Sequence, residues 1–137
     1  MGRVYIMNKK QREKIRLKYD GKCSYCGCDL EDKFHVDHLE PIVREEGHWE
    51  VLEDGNRHWI PHPTGMRYPD RHTEDNFMPS CPSCNILKSD MTLDYFRSTI
   101  QNFIHSLNKY STQYKFAKRY GLIFETNQPI TFYFEKV

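Results

Sequence analysis

The sequence predicts a small α+β domain in which amphipathic helices alternate with short strands. Residues 92–109 place apolar side chains at the three- and four-residue spacing of a helix. Asp54-Gly55 lies between two strand-like segments at 48–60, which indicates a β-hairpin with a two-residue turn. No repeat, low-complexity run or linker interrupts the 137 residues, so we expect one domain over 1–137.

The N-terminal half begins with a predicted helix over 8–19. Asn8 is suited to the N-cap of this helix, and Asp20-Gly21 is a stop signal. Residues 33–42 then have an extended pattern, in which Val36 and His38 share one face and Asp37 lies on the other. A break near His38 would let both Asp37 and His38 reach a common site.

The C-terminal half is predicted to be mainly helical. Residues 61–75, with three prolines and one glycine, favour an irregular loop. A second helix over 111–120 follows the helix at 92–109 and ends at Gly121. The last residues have two strand-like runs around Thr-Asn-Gln-Pro, and we expect a C-terminal β-hairpin there.

The net charge of +1 conceals a strong segregation of charge along the chain. Residues 1–28 carry +6, residues 29–80 carry −8, and residues 81–121 carry +4. Two basic segments around an acidic middle are compatible with a phosphate-binding face and a cation site, and equally with an ordinary mixed surface. No segment approaches the roughly 18 apolar residues of a membrane span, so we expect no membrane partner.

Met1 to Lys10 lacks the apolar core of a secretory signal, so a reducing, cytoplasmic setting is expected. Cysteines there more often bind metal than form disulfides. Cys23 and Cys26 form one CxxC pair, and Cys81 and Cys84 form another, with 54 residues between the pairs. Four thiolates from two such turns form a closed tetrahedral zinc site, which would tie two distant segments together.

The cysteines also fit functions other than a zinc site in an enzyme. The two pairs are compatible with reduced surface thiols or with one redox-active CxxC. Cys28 is an additional thiol, and it is an alternative to Cys26 as a ligand. A zinc-held nucleic-acid-binding module has the same four cysteines, so the cysteines alone do not predict an enzyme.

Between and beside the two CxxC pairs lies a set of polar residues that carries more information. Asp37-His38 follows the first pair, Asn76-Phe77 precedes the second, and Asn85 and Lys88 come directly after it. In this order the residues resemble the HNH (ββα-metal) endonuclease family, and the resemblance covers about residues 12–97, with a C-terminal extension at about 98–137. The chain departs from the family pattern in two ways: Asn85 occupies the final His position, and the stretch from His38 to Asn76 is longer.

The resemblance implies a DNA endonuclease, similar to those of phages and mobile elements, in a bacterial or phage-infected cell. Asp37 and Asn85 would hold one catalytic Mg²⁺ or Mn²⁺ through hard oxygen ligands. His38 would be the general base, because its unperturbed pKa near 6.5 leaves the neutral form abundant. Asn76 would hold the catalytic loop through its amide. Taken singly, each residue also fits a cap, a turn or a packed side chain.

Contacts to DNA are predicted at three positions. Lys88 is expected to meet a phosphate, and Arg57 and Arg44 are expected to reach bases from a β-ribbon formed by the 48–60 hairpin. The alternative for this hairpin is that Trp49 and Trp59 only pin it to the body. A double-strand break would need two protomers or two visits, so nicking and a homodimer both remain open.

Five further histidines have no ligand spacing that predicts a site. His35 shares a face with Asp37 and is interpreted as a surface or packing residue. The alternatives are a group that supports the metal ligands and an extra ligand. The others are scattered through the inserted segment and its loop: His48, His58, His62 and His72. Two other functions stay open for the chain, a non-catalytic zinc module that binds nucleic acid and a protein-interaction module.

Overall fold

The computed structural model describes residues 7–137 as a mixed α+β fold with small two-stranded sheets. The expectations that concern Met1 to Ile6 lie outside these residues. The α-helices of the described part are α1 (Lys9–Arg16), α2 (Pro82–Lys88), α3 (Leu93–Tyr110) and α4 (Thr112–Arg119). Its strands are β1 (His35–His38), β2 (Val43–Arg44), β3 (Gly47–Val51), β4 (Arg57–Pro61), β5 (Met66–Arg67) and β6 (Phe77–Ser80).

Helix α1 begins at the predicted cap, and the helical segment that it starts ends at the predicted stop signal. Asn8 caps it by accepting from the Gln11 N–H at 2.8 Å, and the Gln11 side chain accepts from the Asn8 N–H at 3.0 Å. This reciprocal capping box satisfies two N–H groups that the first helical turn leaves without partners. One 3₁₀ turn, Leu17–Tyr19, then leads into Asp20 and Gly21, both at positive φ.

Strands β1 and β6 form the most deeply buried sheet. They pair antiparallel, with Asp37 opposite Met78 and His38 opposite Phe77. All four residues of β6 are buried, and α2 follows this strand after Cys81. The order strand, strand, helix therefore brings Asp37, His38 and the start of α2 to one place. The extended segment predicted over 33–42 is shorter, with strand geometry only at His35–His38.

The predicted inserted hairpin is present as β3 and β4, with Trp49 opposite Trp59. The turn differs from the expectation. The Leu52 N–H bonds to the Asn56 carbonyl, so three residues form the tip, with Gly55 at φ +77°. A three-residue loop with a left-handed last residue is the next most common hairpin connection. Strands β2 and β5 continue the same antiparallel path towards the body of the domain.

Aromatic rings around Tyr25 form the core. The Tyr25 ring meets Phe96 and Phe132 edge-on, with both centroid distances at 5.6 Å. Phe96 and Phe132 stack at 5.2 Å, and Met78 and Cys23 complete the buried cluster. The core thus joins the first cysteine turn, β6, α3 and the C-terminal segment.

The predicted C-terminal β-hairpin is wrong. Residues 122–132 have no strand, and the segment ends in one 3₁₀ turn, Tyr133–Glu135. Its N–H groups bond to the first cysteine turn instead, from Tyr133 to the Tyr25 carbonyl and from Phe134 to the Ser24 carbonyl. Burying Phe132 against Phe96 and Tyr25 outweighs the pairing of the segment with itself.

Helices α3 and α4 form as predicted, but the apolar face of α3 is only partly covered. Phe96 is fully buried, whereas Phe103, Ile104 and Leu107 are 38–41% exposed. Glu125 holds the following segment near these helices through Asn108, Tyr114 and Lys118. No helix within residues 7–137 has the length and apolar character needed to cross a membrane.

Candidate functional site

The cysteines come together in one cluster. The Sγ atoms of Cys23, Cys26, Cys28 and Cys81 all lie within 4.8 Å of one another. The Cys26 and Cys81 sulfurs are 3.9 Å apart, close to the ~3.8 Å edge of a tetrahedron with Zn–S bonds of about 2.3 Å. The cluster therefore offers four thiols close enough to bind one metal ion such as zinc.

The membership of this cluster differs from the set expected from the two CxxC pairs. Cys28 joins Cys26 rather than replacing it, because Gly27 at φ +78° returns the chain so that the Cys23 N–H reaches the Cys28 carbonyl at 2.8 Å. Cys84 lies beside the four, where its thiol lowers the pKa of Cys23. Its backbone N–H points to the Cys81 sulfur at 3.4 Å. All five cysteine thiols thus lie near one another.

The thiols hold their protons unequally. The hydrogen bond from Cys84, aided by nearby backbone N–H groups, lowers the pKa of Cys23 to about 4 despite its burial. Burial and hydrogen bonding with Cys26 raise the pKa of Cys28 to about 12. The negative charge of one thiolate thus raises the free energy needed to deprotonate a second thiol beside it. A divalent cation removes that cost, which is the chemistry of a thiolate metal site.

A cleft lies where β1 faces the start of α2. Asp37, His38, Arg44 and Asn85 line a cavity of about 330 Å³. An adjoining cavity of about 410 Å³ shares His38, Arg44 and Asn85 and adds His35, His72 and Arg12. The structure therefore brings three of the predicted catalytic and metal-binding residues, Asp37, His38 and Asn85, to one open cleft with two arginines on its wall.

Asp37 is buried and already has two strong partners. Its Oδ2 accepts from the Tyr25 hydroxyl at 2.5 Å and lies 2.9 Å from the Lys88 ammonium. Burial and the Asp37 charge raise the pKa of Tyr25, so the phenol keeps its proton. Lys88 is fully buried and also donates to the His38 carbonyl at 2.9 Å. The predicted phosphate contact of Lys88 is therefore wrong, because its charge faces Asp37 and not solvent.

His38 is half-buried and pairs with a residue that sequence spacing did not indicate. Its Nε2 lies 3.0 Å from Nδ1 of His72, and the two rings stack at 5.2 Å. Burial, followed by the charges of His72, Arg44 and Lys88, lowers the pKa of His38 to about 4. The ring is thus neutral near pH 7. His72 lies in the irregular 61–75 loop, 34 residues from His38, and no local pattern points to this contact.

Asn76 joins the loops on either side of the cleft. Its Oδ1 accepts from the Glu40 N–H at 2.8 Å, and its Nδ2 donates to the carbonyls of Glu40 and Arg71 at 2.8 and 2.7 Å. These bonds hold the chain that leaves β1 after His38 against the loop that carries His72. Asn76 is thus placed to position both histidines.

Asn85 is oriented by His35. Its Nδ2 donates to Nδ1 of His35 at 2.8 Å. The amide nitrogen is therefore occupied, and the amide oxygen is the remaining polar atom of the side chain. Because an amide nitrogen only donates, Nδ1 of His35 must be unprotonated here. His35 therefore acts on Asn85 and is not merely a packing residue.

The two predicted DNA-contacting arginines have different positions. Arg44 is exposed on β2 and lines both cavities beside His38. Arg57 is exposed on β4, with its guanidinium 5.7 Å from the Trp49 ring centre. Trp49 and Trp59 pack on each other across the hairpin, at 5.6 Å, while they remain 57% and 47% exposed. Arg44 thus belongs to the cleft and Arg57 to the projecting hairpin.

Comparisons with known proteins identify no match to this chain. No family model matches the chain, and neither a curated protein nor a solved structure does. What can be concluded about the site therefore comes from its own residues and geometry.

Proposed function

We propose that the protein is a metal-dependent DNA endonuclease of the HNH type. The single observation that carries this proposal is the convergence of Asp37, His38 and Asn85 on one cleft. A carboxylate and an amide oxygen can hold one hard cation, and a neutral imidazole can accept the proton of the attacking water. Arg44 and Arg12 add positive charge on the cleft wall, where an anionic backbone would lie.

The donor set fits a catalytic Mg²⁺ or Mn²⁺. Both described contacts of Asp37 use Oδ2, so Oδ1 is the atom for a cation, and His35 leaves Asn85 to offer its oxygen. When bound, the ion would stabilise negative charge on the phosphate and on the departing 3′ oxygen. Lys88 and Tyr25 then keep the Asp37 carboxylate in place rather than touching substrate.

His38 would accept the proton of the attacking water. In the tautomer whose Nε2–H donates to His72, the lone pair of Nδ1 is the basic site. The lowered pKa keeps this nitrogen unprotonated at neutral pH, although it also makes His38 a weaker base. Asn76 supports this step by holding the segment after His38 against the loop of His72.

Incubation of the zinc-loaded protein with supercoiled plasmid and Mg²⁺ or Mn²⁺ tests the proposal. We expect nicked or linear DNA from the parent and a rate about 10²–10⁴-fold lower from His38→Ala. His105→Ala is the matched control, because His105 is exposed on α3. Equal cleavage by His38→Ala and the parent would show that His38 is not the base.

The Asp37–Lys88 ion pair favours one alternative, a zinc-held nucleic-acid-binding module without catalysis. In that case the pair is purely structural, and Asp37 has no cation to bind. The module would retain DNA in a gel-shift assay after His38→Ala, with no cleavage in any divalent metal. DNA binding without metal-dependent nicking by the parent would establish this alternative.

A further inference from the structure

A second cluster of metal-binding side chains lies at the base of the inserted hairpin. Ligand atoms of Glu45, His48 and His62 all lie within 4.8 Å of one another. Glu45 follows β2, His48 belongs to β3, and His62 follows β4. Because His48 pairs with Ile60, His62 is its diagonal neighbour on the same face of the hairpin. The register, not spacing along the chain, creates this cluster.

The atoms of the cluster face one another. His48 Nδ1 lies 2.8 Å from His62 Nε2, and the two rings are nearly parallel at 4.9 Å. The same His62 nitrogen lies 3.3 Å from Glu45 Oε1. One N–H cannot point at both neighbours, whereas one cation between them can bind all three.

The carboxylate of Glu45 supports a cation independently. Its Oε1 is buried and accepts no well-directed hydrogen bond within the described residues, although Arg67 Nε approaches to 2.9 Å. Since a buried acceptor without a directed donor costs free energy, the oxygen gains from a metal ligand bond. Arg67 also neutralises the carboxylate of Glu45. A bound ion must therefore displace Arg67 or bind Glu45 while Arg67 stays beside it.

The tautomer of His48 is suited to ligation. Its Nε2 lies 3.3 Å from Glu50 Oε2, so Nε2 is the nitrogen that carries the proton. The lone pair of Nδ1 then points towards His62 and Glu45. A carboxylate that accepts from the far nitrogen of a metal-binding histidine is a recurrent arrangement around protein metals.

We propose that Glu45, His48 and His62 bind one divalent transition-metal ion of the Zn²⁺ class. Two imidazoles and one carboxylate form a zinc ligand set, with a fourth position for water. The three side chains are 13–25% exposed, which leaves the ion a path from solvent. The site contains no sulfur and is separate from the cysteine cluster. It does not depend on the proposed nuclease activity.

An ion at this position would also affect the neighbouring cleft and the hairpin. Glu45 directly follows Arg44, which lines the cleft beside His38. An ion held by Glu45, His48 and His62 would tie β2 to the hairpin base. It would thereby restrict Arg44 and the direction in which the hairpin projects.

Zinc content of the full chain tests the proposal. After Zn²⁺ loading and gel filtration, we expect His62→Ala to contain one zinc ion per chain fewer than the parent by plasma mass spectrometry. His58→Ala is the matched control, since His58 lies on β4 and contacts Asp54 at the hairpin tip. It should match the parent. Equal zinc content in the parent and His62→Ala would overturn the site.

Two conservative variants keep the test decisive if His62→Ala does not fold by circular dichroism. Glu45→Gln preserves the size of the side chain and should also lose one ion. Glu50→Gln removes only the outer partner of His48, so it should keep the ion with about 10–100-fold weaker affinity in a Zn²⁺ titration. Parent-like content and affinity in both variants would overturn the proposal.

Discussion

The two main strand pairs of the molecule differ in what holds them. The β1–β6 pair is four residues long, and every β6 residue is buried. The β3–β4 pair is longer at five residues, but Trp49 and Trp59 remain about half exposed. Burial, and not the number of paired residues, is therefore what we expect to separate the more stable strand pair from the less stable one.

The cysteine cluster should produce the largest difference between these regions. Cys23 is fully buried next to Tyr25, and its sulfur belongs to the cysteine cluster. We expect Cys23→Ser, or removal of zinc by a chelator, to unfold the β1–β6 region, because a structural ion can supply much of the ~5–15 kcal/mol stability of a domain. Thermal unfolding followed by near-ultraviolet circular dichroism measures this.

Cys28→Ser is the control for that variant. It leaves Cys23, Cys26, Cys81 and Cys84, which is a complete set of four thiols in two CxxC pairs. We therefore expect a smaller loss of zinc affinity than for Cys23→Ser. Equal losses in the two variants would assign Cys28 as an obligatory ligand.

Lys88→Met should have the next largest effect. It removes the ammonium 2.9 Å from buried Asp37 and leaves an uncompensated carboxylate, which costs about 3–5 kcal/mol. Lys118→Met is the control, because the Lys118–Glu125 pair is partly exposed and solvent screens it, so its loss should cost much less. Urea denaturation of both variants measures the difference. Similar free energies of unfolding would contradict the importance of burial here.

Asn76→Ala should cost about 1–2 kcal/mol, since it leaves the backbone groups of Glu40 and Arg71 without its side chain. It should also reduce plasmid nicking more than its stability loss accounts for, because the segment after His38 and the loop that carries His72 loosen. Nicking at a temperature where the variant stays folded separates the two effects. Asn127→Ala, at an exposed position, is expected to change neither.

Gly47→Ala should have the smallest global effect and the most local one. A Cβ at this position would lie 2.5 Å from the Ile60 carbonyl oxygen and 2.6 Å from the Trp59 ring. We expect faster hydrogen exchange in β3 and β4 and unchanged protection in β1 and β6. Loss of protection in both pairs would show that the hairpin and the core unfold as one unit.

Local signals along the chain were sufficient for several features. The capped start of α1, the stop at Asp20-Gly21 and the helix from Leu93 follow from residues a few positions apart. The hairpin also followed from its turn residues, although not the length of its tip. The C-terminal hairpin was predicted wrongly, because the same strand-like pattern gains more by packing Phe132 on Tyr25 and Phe96.

The candidate site likewise has some features that the sequence predicts and others that it does not. The cysteines lie close together, as the two CxxC pairs predict, and Asp37, His38 and Asn85 line one cleft. A common site for these three residues was implied by the resemblance, and their catalytic roles stay predictions. The burial of Lys88, the contact of His72 with His38 and the contact of His35 with Asn85 did not follow from spacing. Each depends on which segments lie side by side.

The sequence by itself determined the mixed α+β class, the helix ends and the two cysteine turns that can bind one ion. These features depend on backbone preferences and on pairs of cysteines with two residues between them, which act within a few residues of chain. Only the tertiary structure decided which thiols are neighbours, which charge Lys88 meets, and that Glu45, His48 and His62 form a cluster. Such contacts join residues far apart in the chain, and strand register and burial select them through the free energy of the whole fold.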